Sequence, residues 1–336
     1  MRRTILRLTA NMVVVLFALF GIVSAWLVAT YLRETGDAAR DAPSTGAFVA
    51  TERGRIFTQA VGPATARPVI FVHGTAAWSG FWRGTITRIG EAGFRAIAID
   101  LPPFGFSERD PAGRYGRQDQ ATRLIALVEA MAPARPIIVG HSFGAGPVLE
   151  AVMMRPDLFA GLVIVAGALG LPAEGEMPPR DDGIAAALIS QPFIANLAIA
   201  ASATNPWLTR SLLSTMIHRK EAATPEVADV LRRPQRLAGT TQAYAQWVPV
   251  LFRPERTALS GTPANLRALM VPTAVIWGRE DTLTPLSQGQ RIAALIPAAT
   301  LDVLDGVGHI PHLEAPAPFE RLLLERLKAM TGSGGS

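Results

Sequence analysis

The segment Ile137-Ile138-Val139-Gly140-His141-Ser142-Phe143-Gly144 decides the fold of this chain. A short apolar run leads into a serine between two glycines, and a helical pattern begins directly after them. This order predicts a buried strand that turns sharply into a helix and lifts the Ser142 hydroxyl clear of the sheet. The dipole of that helix favours negative charge developing beside the serine. Because Gly-x-Ser-x-Gly also arises by chance in Gly-rich chains, the prediction depends on the strand and helix around it.

Apolar runs and helical patterns alternate on both sides of this segment, which is typical of a mostly parallel sheet with crossover helices. A hairpin is predicted to open the domain, over residues 47–52 and 55–61. The predicted buried strands are 69–72, 96–100, 137–140, 162–166, 274–277 and 300–304. The predicted helices are 81–92, 118–131, 143–154, 287–296 and 316–329. The sequence therefore predicts an α/β domain.

The strand rhythm stops between Leu169 and about Leu266, where the sequence is apolar, helix-like and interrupted by prolines. A stretch this long is unusual as a bare loop, so we expect a cap inserted into the domain. The expected division is a linker, two core segments, a helical cap and a disordered tail. In residue numbers these are 34–46, 47–168 with 267–330, 169–266 and 331–336.

The N-terminal sequence predicts a membrane-spanning segment. Three arginines precede the uncharged stretch from Leu8 to Leu32, which would span roughly 37 Å as a helix and so exceed a bilayer core of ~30 Å. We expect an anchor over residues 1–33, with the catalytic body facing outward. The alternative is a signal peptide, cut near Val23-Ser24-Ala25, and a secreted protein.

The amino-acid composition argues against several classes of binding partner and cofactor. The chain is 49% hydrophobic and 18% charged, with 32 basic and 27 acidic residues and no cysteine. The arginines are scattered and lack interleaved aromatic residues, which argues against nucleic-acid binding. The absence of cysteine removes disulfides, thiolate metal sites and a cysteine nucleophile. No metal cluster, phosphate loop or dinucleotide motif is visible, so we expect no cofactor. The oligomeric state stays open.

A serine needs an adjacent base before it is a good nucleophile. Five histidines are available, and His309 is the best placed, because the glycines of Gly306-Val307-Gly308 let a loop carry its imidazole towards Ser142. His312, three residues further on, is the alternative base. His141 is expected to point away from the nucleophile.

The imidazole in turn needs a carboxylate that fixes its tautomer. Asp281 follows the predicted strand 274–277, at the carboxyl edge where α/β sites assemble, and Glu280 is the competitor. Backbone N–H groups must then stabilise the oxyanion of the reaction intermediate. We expect them at Phe143 and Thr75, with Ala76 as the alternative to Thr75.

Over about residues 46–330 the chain closely resembles the capped α/β-hydrolase superfamily. The matching pieces are His73-Gly74, Asp100–Ser107, the Ser142 elbow, Trp277–Asp281 with Pro285, and Gly306–His309 with Glu314 and Pro316. The resemblance implies an α/β-hydrolase fold with a mostly parallel eight-stranded sheet, helices on both faces, an inserted helical cap and a Ser142–His309–Asp281 triad. Pro103 departs from the pattern, because relatives usually carry glycine there.

The resemblance implies a hydrolase, and the serine argues against its epoxide hydrolase and haloalkane dehalogenase branches. We expect cleavage of an ester or related acyl bond in a hydrophobic small molecule. The alternatives are a carbon–carbon bond hydrolase, a cofactor-free perhydrolase and, further off, a non-catalytic binding protein. The residues expected to line the substrate pocket are Trp78, Phe104, Trp207, Trp247 and Ile310.

Overall fold

The computed structural model describes residues 2–131, 134–171, 183–252, 255 and 257–332. Eight strands form one sheet in the order β1-β2-β4-β3-β5-β6-β7-β8. They are β1 (Gly46–Thr51), β2 (Gly54–Val61), β3 (Pro68–Val72), β4 (Arg95–Ile99), β5 (Ile137–His141), β6 (Gly161–Val165), β7 (Thr273–Gly278) and β8 (Thr300–Leu304). The predicted eight-stranded sheet is confirmed, because each strand lies within two residues of its predicted bounds.

The sheet is antiparallel at one edge and parallel elsewhere. Strands β1 and β2 form a hairpin, and β2 also runs antiparallel to β4. From β4 onward every neighbouring pair is parallel. Strands β3, β5, β6 and β7 are buried on both faces, as parallel strands between helical layers must be, and this explains their continuous apolar sequences.

The helices of the core and the cap follow in chain order. They are α1 (Arg2–Arg33), α2 (Ala38–Asp41), α3 (Arg83–Glu91), α4 (Arg117–Met131), α5 (Ala145–Met154), α6 (Ile184–Ile189), α7 (Pro192–Ala201), α8 (Thr209–Met216), α9 (Pro225–Arg232), α10 (Thr240–Trp247), α11 (Pro249–Phe252), α12 (Pro263–Arg267), α13 (Leu286–Leu295), α14 (Pro311–Glu314) and α15 (Pro316–Gly332). Helices α3 and α15 pack on one face of the sheet, whereas α4, α5 and α13 pack on the other.

Helices α6 to α11 lie in the chain between β6 and α12, so the described part of the long insertion is helical. They fall within the predicted cap, 169–266, whose exact boundaries stay a prediction. Part of that cap, residues 172–182, 253–254 and 256, lies outside the described residues. Of the predicted tail, residues 331 and 332 end α15, and the remainder also lies outside them.

The predicted membrane anchor over residues 1–33 is wrong. Within the part of the chain that the structure describes, no helix combines the length and apolar character needed to cross a membrane. The last turns of α1 instead pack against the protein. The Trp26 indole N–H donates to the carbonyl of Ala200 in α7 at 3.0 Å, and Thr30 is buried. The predicted membrane partner and the outward-facing localisation depend on that anchor, and they are wrong with it.

The segment after α1 is hydrogen-bonded to the insertion. Gly36 N donates to Arg236 O at 2.8 Å, and Ala238 N donates to Gly36 O at 2.9 Å. The backbone N–H of Thr241 donates to the Glu34 carboxylate at 2.9 Å. These bonds fix the first residues of the predicted linker, 34–46, against the helices of the cap.

The core of the central sheet gives a test of this architecture. Phe71, in β3, is fully buried and packs on Trp82, with ring centroids 5.3 Å apart. Phe71→Ala should lower the free energy of unfolding by about 3–5 kcal/mol, because it removes a large apolar side chain and leaves a cavity. Met270→Ala is the control, because Met270 is 83% exposed and should change stability by no more than about 0.5 kcal/mol. Urea denaturation measures both, and equal costs would contradict this packing.

Candidate active site

Ser142 sits at a sharp turn between β5 and α5. Its φ is 51°, in the left-handed region that is strained for a serine. The turn requires small neighbours on both sides. A Cβ on Gly140 would lie 2.7 Å from Ala145 Cα, and one on Gly144 would lie 2.4 Å from His73 O. The glycines therefore allow the backbone to approach closely enough to hold the serine in this sharp turn.

The structure brings the three predicted triad residues together. His309 Nε2 lies 2.8 Å from Ser142 Oγ, and His309 Nδ1 lies 2.8 Å from Asp281 Oδ2. Ser142 is 6% exposed, His309 2% and Asp281 5%, so the hydrogen bonds between them are sheltered from bulk water. Such a chain can transfer a proton from the serine to the imidazole while the carboxylate stabilises the resulting cation.

Thr284 is a neighbour of the triad that the sequence did not reveal. Its hydroxyl donates to Asp281 Oδ2 at 2.7 Å and also lies 3.1 Å from His309 Nδ1. The backbone N–H groups of Leu283 and Thr284 donate to Asp281 Oδ1, both at 2.9 Å. Burial alone would raise the pKa of the Asp281 carboxyl, but its bonds to His309 and Thr284 outweigh burial and hold that pKa below its usual range. The carboxylate is therefore kept ionised and oriented.

The loop that carries His309 is fixed by a buried carboxylate, Glu314. Its two oxygens accept the backbone N–H groups of Gly308 at 2.9 Å and Ile310 at 3.0 Å, on either side of the histidine. The same carboxylate accepts the N–H groups of His218 at 2.8 Å and Arg219 at 3.0 Å, from the insertion. Glu314 thus joins the histidine loop to the insertion that covers the site.

The two competing residues point elsewhere. Glu280 Oε2 accepts the backbone N–H of Val307 at 2.9 Å, so its carboxylate supports the loop rather than the imidazole. His312 stacks on Trp82, with ring centroids 4.0 Å apart, and neither of its ring nitrogens has a hydrogen-bond partner in the described structure. The geometry therefore favours Asp281 and His309 as the acid and the base.

A cavity of about 270 Å³ opens at Ser142. It is bounded by the loop after β3 and by α8 and α9 of the insertion, and its surface is mostly apolar. Its lining includes Thr75, Ala76, Phe81, Leu212, Leu213, Met216, Leu231 and Ile310. None of its described lining residues is a lysine, arginine, aspartate or glutamate. We call this cavity the catalytic pocket.

The structure separates the predicted pocket residues. Ile310 lines the catalytic pocket, but the other four are not among its described lining residues. Phe104 and Trp247 are buried and pack against each other, with ring centroids 4.8 Å apart. Trp78 is buried and donates to Val230 O at 2.7 Å, whereas Trp207 is 72% exposed beside Trp26. Trp78, Phe104 and Trp247 therefore contribute to core packing, and Trp207 lies at the surface.

The two expected oxyanion donors belong to the two segments that meet at Ser142. Phe143 follows Ser142 in the elbow, and Thr75 lines the catalytic pocket in the loop after β3. Ala76, the alternative, has a φ of 55° in the left-handed region, which an alanine rarely adopts. Gly74 allows this loop to pass close to the elbow, because a Cβ there would lie 2.9 Å from Ser142 Cβ. The donor roles of Phe143 and Thr75 stay predictions.

The remaining buried histidines surround the triad without joining it. His141 Nε2 lies 2.9 Å from His309 O, and His73 Nε2 accepts the backbone N–H of Leu101 at 2.9 Å. Burial lowers the pKa of His73 to about 4 and that of His141 to about 3. Burial also lowers the pKa of His312 well below its usual value. These three imidazoles are therefore neutral in the folded protein near pH 7.

A family model for the alpha/beta hydrolase fold matches residues 67–316. The chain belongs to this family, which confirms the predicted superfamily and the prediction of a hydrolase. Among curated relatives, 2-hydroxymuconate semialdehyde hydrolase of Pseudomonas putida is 28% identical over 263 residues. The match covers 76% of this chain and 85% of that protein.

Solved structures agree with the fold. A meta-cleavage product hydrolase of Pseudomonas fluorescens IP01 aligns with a TM-score of 0.67 at 23% identity, covering 85% of this chain and 98% of that one. A thermophilic esterase of Thermogutta terrifontis aligns with a TM-score of 0.68 at 21% identity, covering 85% and 99%. At these identities the likeness shows the fold alone.

The hydrogen-bond chain makes a kinetic prediction. Ser142→Ala and His309→Ala should each reduce kcat to background, and the double variant should be no worse, because the members of a triad act as a unit. Asp281→Asn should reduce kcat about 10⁴-fold, because the amide favours the wrong imidazole tautomer. Glu280→Gln is the matched control and should retain most activity. If Glu280→Gln is the more damaging of these two substitutions, the acid is assigned to the wrong residue.

The neutral histidines predict how stability depends on pH. Below pH 6.5, the ordinary pKa of histidine, the unfolded chain binds protons at these three imidazoles but the folded protein does not. Protons therefore favour the unfolded state, and stability that is complete above pH 6.5 is lost as the pH falls below it. The free energy of unfolding should therefore decrease between about pH 7 and pH 5, by up to about 1.4 kcal/mol per pH unit for each buried histidine. His312→Phe should give a shallower slope in urea denaturation, because phenylalanine can keep the stack on Trp82 without titrating. An unchanged slope would refute the neutral state of His312.

Proposed function

We propose that this protein hydrolyses a carbon–carbon bond next to a carbonyl group, with Ser142 as nucleophile, His309 as base and Asp281 as orienting acid. The observation that supports this most directly is the continuous hydrogen-bond chain from Asp281 to Ser142, which ends at an apolar pocket. A pocket of about 270 Å³ suits a small substrate that is held mainly by apolar contacts.

The choice of a carbon–carbon bond rests on sequence similarity. The name of the Pseudomonas putida relative gives a substrate with a six-carbon skeleton that carries a carboxylate and an aldehyde. Such a compound contains neither an ester nor an amide, so its hydrolysis must break a bond between two carbons. The match to that relative extends over most of both chains, which supports the same bond type here.

The triad can perform this cleavage in two stages. In the first stage His309 takes the proton of Ser142 as Oγ bonds to the carbonyl carbon, whose oxygen becomes an oxyanion. The N–H groups of Phe143 and Thr75 would donate to that oxygen. When the intermediate collapses, the bond to the neighbouring carbon breaks, and that carbon receives the proton from His309. The departing fragment must therefore be one that stabilises negative charge on carbon, as an enolate does.

The second stage releases the acyl group from Ser142. A water molecule attacks the acyl carbon while His309 removes its proton, and the serine then leaves with that proton. The product is a carboxylic acid, and the triad returns to its starting state. Asp281 remains ionised throughout and holds Nδ1 of His309, which is what its four described hydrogen bonds favour.

Ester hydrolysis is the second candidate, and one observation favours it. The relative's substrate carries a carboxylate, but the described lining of the catalytic pocket contains no lysine or arginine. A neutral acyl group would enter such a pocket without leaving a buried charge unpaired. The same nucleophile, base and oxyanion donors would serve, because only the leaving atom differs.

The two candidates are separated by a substrate panel. The purified protein is given 2-hydroxymuconate semialdehyde, whose conjugated chromophore is lost on cleavage, and p-nitrophenyl esters from acetate to palmitate. We expect turnover of the semialdehyde with kcat/KM at least tenfold above that for the best ester. Ser142→Ala is the control and should be inactive on every substrate. Ester turnover alone would replace the carbon–carbon assignment with the second candidate, and Ser142→Ala activity equal to wild type would reject both.

A further inference from the structure

A second cavity, of about 470 Å³, lies where the end of α1 meets the insertion. We call it the arginine pocket, because its lining includes Arg33, Arg232 and Arg236, together with Glu34, Thr204 and Gln235. Of the described lining residues, it shares Gln235 alone with the catalytic pocket. Three guanidinium groups around one cavity are unusual unless something offsets their charge.

The protein offsets that charge only in part. Arg232 pairs with Asp229 at 2.9 Å, but Asp229 is 73% exposed and such a pair is weak in water. Arg232 Nε is buried and has no hydrogen-bond partner in the described structure. The side chain of Arg236 makes no hydrogen bond or ion pair with any described residue. Arg33 donates to Thr30 Oγ1 at 3.0 Å, and its guanidinium lies over the Trp26 ring, 5.3 Å from the ring centroid. Donor groups of all three arginines therefore remain available.

Glu34 is the one carboxylate residue among the described residues that line the arginine pocket. It is 7% exposed, and its Oε1 accepts the backbone N–H and the hydroxyl of Thr241. Its Oε2 is buried and has no partner in the described structure. A buried acceptor oxygen left without a partner costs free energy, so a ligand that donates to it, such as the hydroxyl of a hydrogen phosphate ion, would complete the hydrogen bonding here.

The arginine pocket and the catalytic pocket are neighbours. Gln235 lines both of them. Leu231 and Ala203 face the catalytic pocket, whereas their chain neighbours Arg232 and Thr204 face the arginine pocket. The segments around residues 203 and 231–235 thus present an apolar side to one cavity and a polar side to the other.

We propose that the arginine pocket binds an oxyanion, a carboxylate or a phosphate group, between the guanidinium groups of Arg33, Arg232 and Arg236. Guanidinium groups match the geometry of both anions, because they offer parallel N–H donors in a planar fork. The oxyanion can be a free ion or the charged end of a substrate whose reacting carbonyl lies in the catalytic pocket. The second source rests on the proposed function, and the first does not.

Calorimetric titration with inorganic phosphate at constant ionic strength tests the site itself. The wild type should bind phosphate saturably, and the Arg232→Gln/Arg236→Gln variant should bind it at least tenfold more weakly, because two of the three guanidinium groups are gone. Arg267→Gln is the matched control, since this exposed arginine is not among the residues that line the cavity, and it should bind as the wild type does. Thermal unfolding of each variant verifies that it is folded. Equal phosphate affinity in the wild type and the double variant would overturn the proposal.

Kinetics then identify the source of the oxyanion. Mono-p-nitrophenyl esters of dicarboxylic acids, from succinate to suberate, are compared with neutral esters of equal length. If the oxyanion belongs to the substrate, the double variant should raise KM at least tenfold for one or more carboxylate esters and leave the neutral esters unchanged. Phosphate binding without this difference supports a free oxyanion at the same site. Inactivity on all esters would count against the second candidate function, ester hydrolysis, and not against carbon–carbon cleavage, and the phosphate titration would still decide the site.

Discussion

The turn that carries Ser142 is the constraint on which the rest of the site depends. Strand β5 must end and α5 must begin within a few residues, and the serine between them takes a φ of 51°. Such strain persists only where the surroundings hold it. Here the central strands on both sides of β5 are fully buried, and the two glycines of the elbow leave no room for a side chain. The sheet therefore supplies the rigidity that the Ser142 turn requires, and it places the triad at the carboxyl edge of the strands.

His309 and Asp281 reach Ser142 on two loops, and each loop is held in place by its own hydrogen bonds. The Glu314 carboxylate accepts two backbone N–H groups of the histidine loop and two of the insertion. The acid loop is held by the Thr284 hydroxyl and two backbone N–H groups, which donate to Asp281. Because Glu314 also binds residues of the insertion, the cover of the pocket and the position of His309 are coupled. The end of α1 joins the same assembly through Glu34 and Gly36, which explains why its last turns pack on protein.

The sequence predicted the sheet and the triad because both leave local signals. Buried parallel strands read as short apolar runs, and Ser142, Asp281 and His309 each follow such a run. The pocket residues left no comparable signal. Trp207 and Trp247 look alike in the sequence, but one is exposed and the other is core, since tertiary packing decides their fates. Thr284 lies only three residues after Asp281, but its position beside His309 and the lining of the arginine pocket depend on residues far apart in the chain, which no spacing reveals. The membrane anchor was predicted wrongly from the apolar N-terminal stretch, because hydropathy alone does not show the contacts that the last turns of α1 make with α7.

The central claim is that Ser142 is the nucleophile activated by this hydrogen-bond chain. Its most direct test is to treat the folded protein with a fluorophosphonate and locate the adduct by peptide mass spectrometry. We expect one adduct per chain, on the peptide that contains Ser142, and no adduct in His309→Ala, where the hydroxyl remains but its base is gone. An adduct on another residue, or labelling of Ser142 at an undiminished rate without His309, would contradict the account.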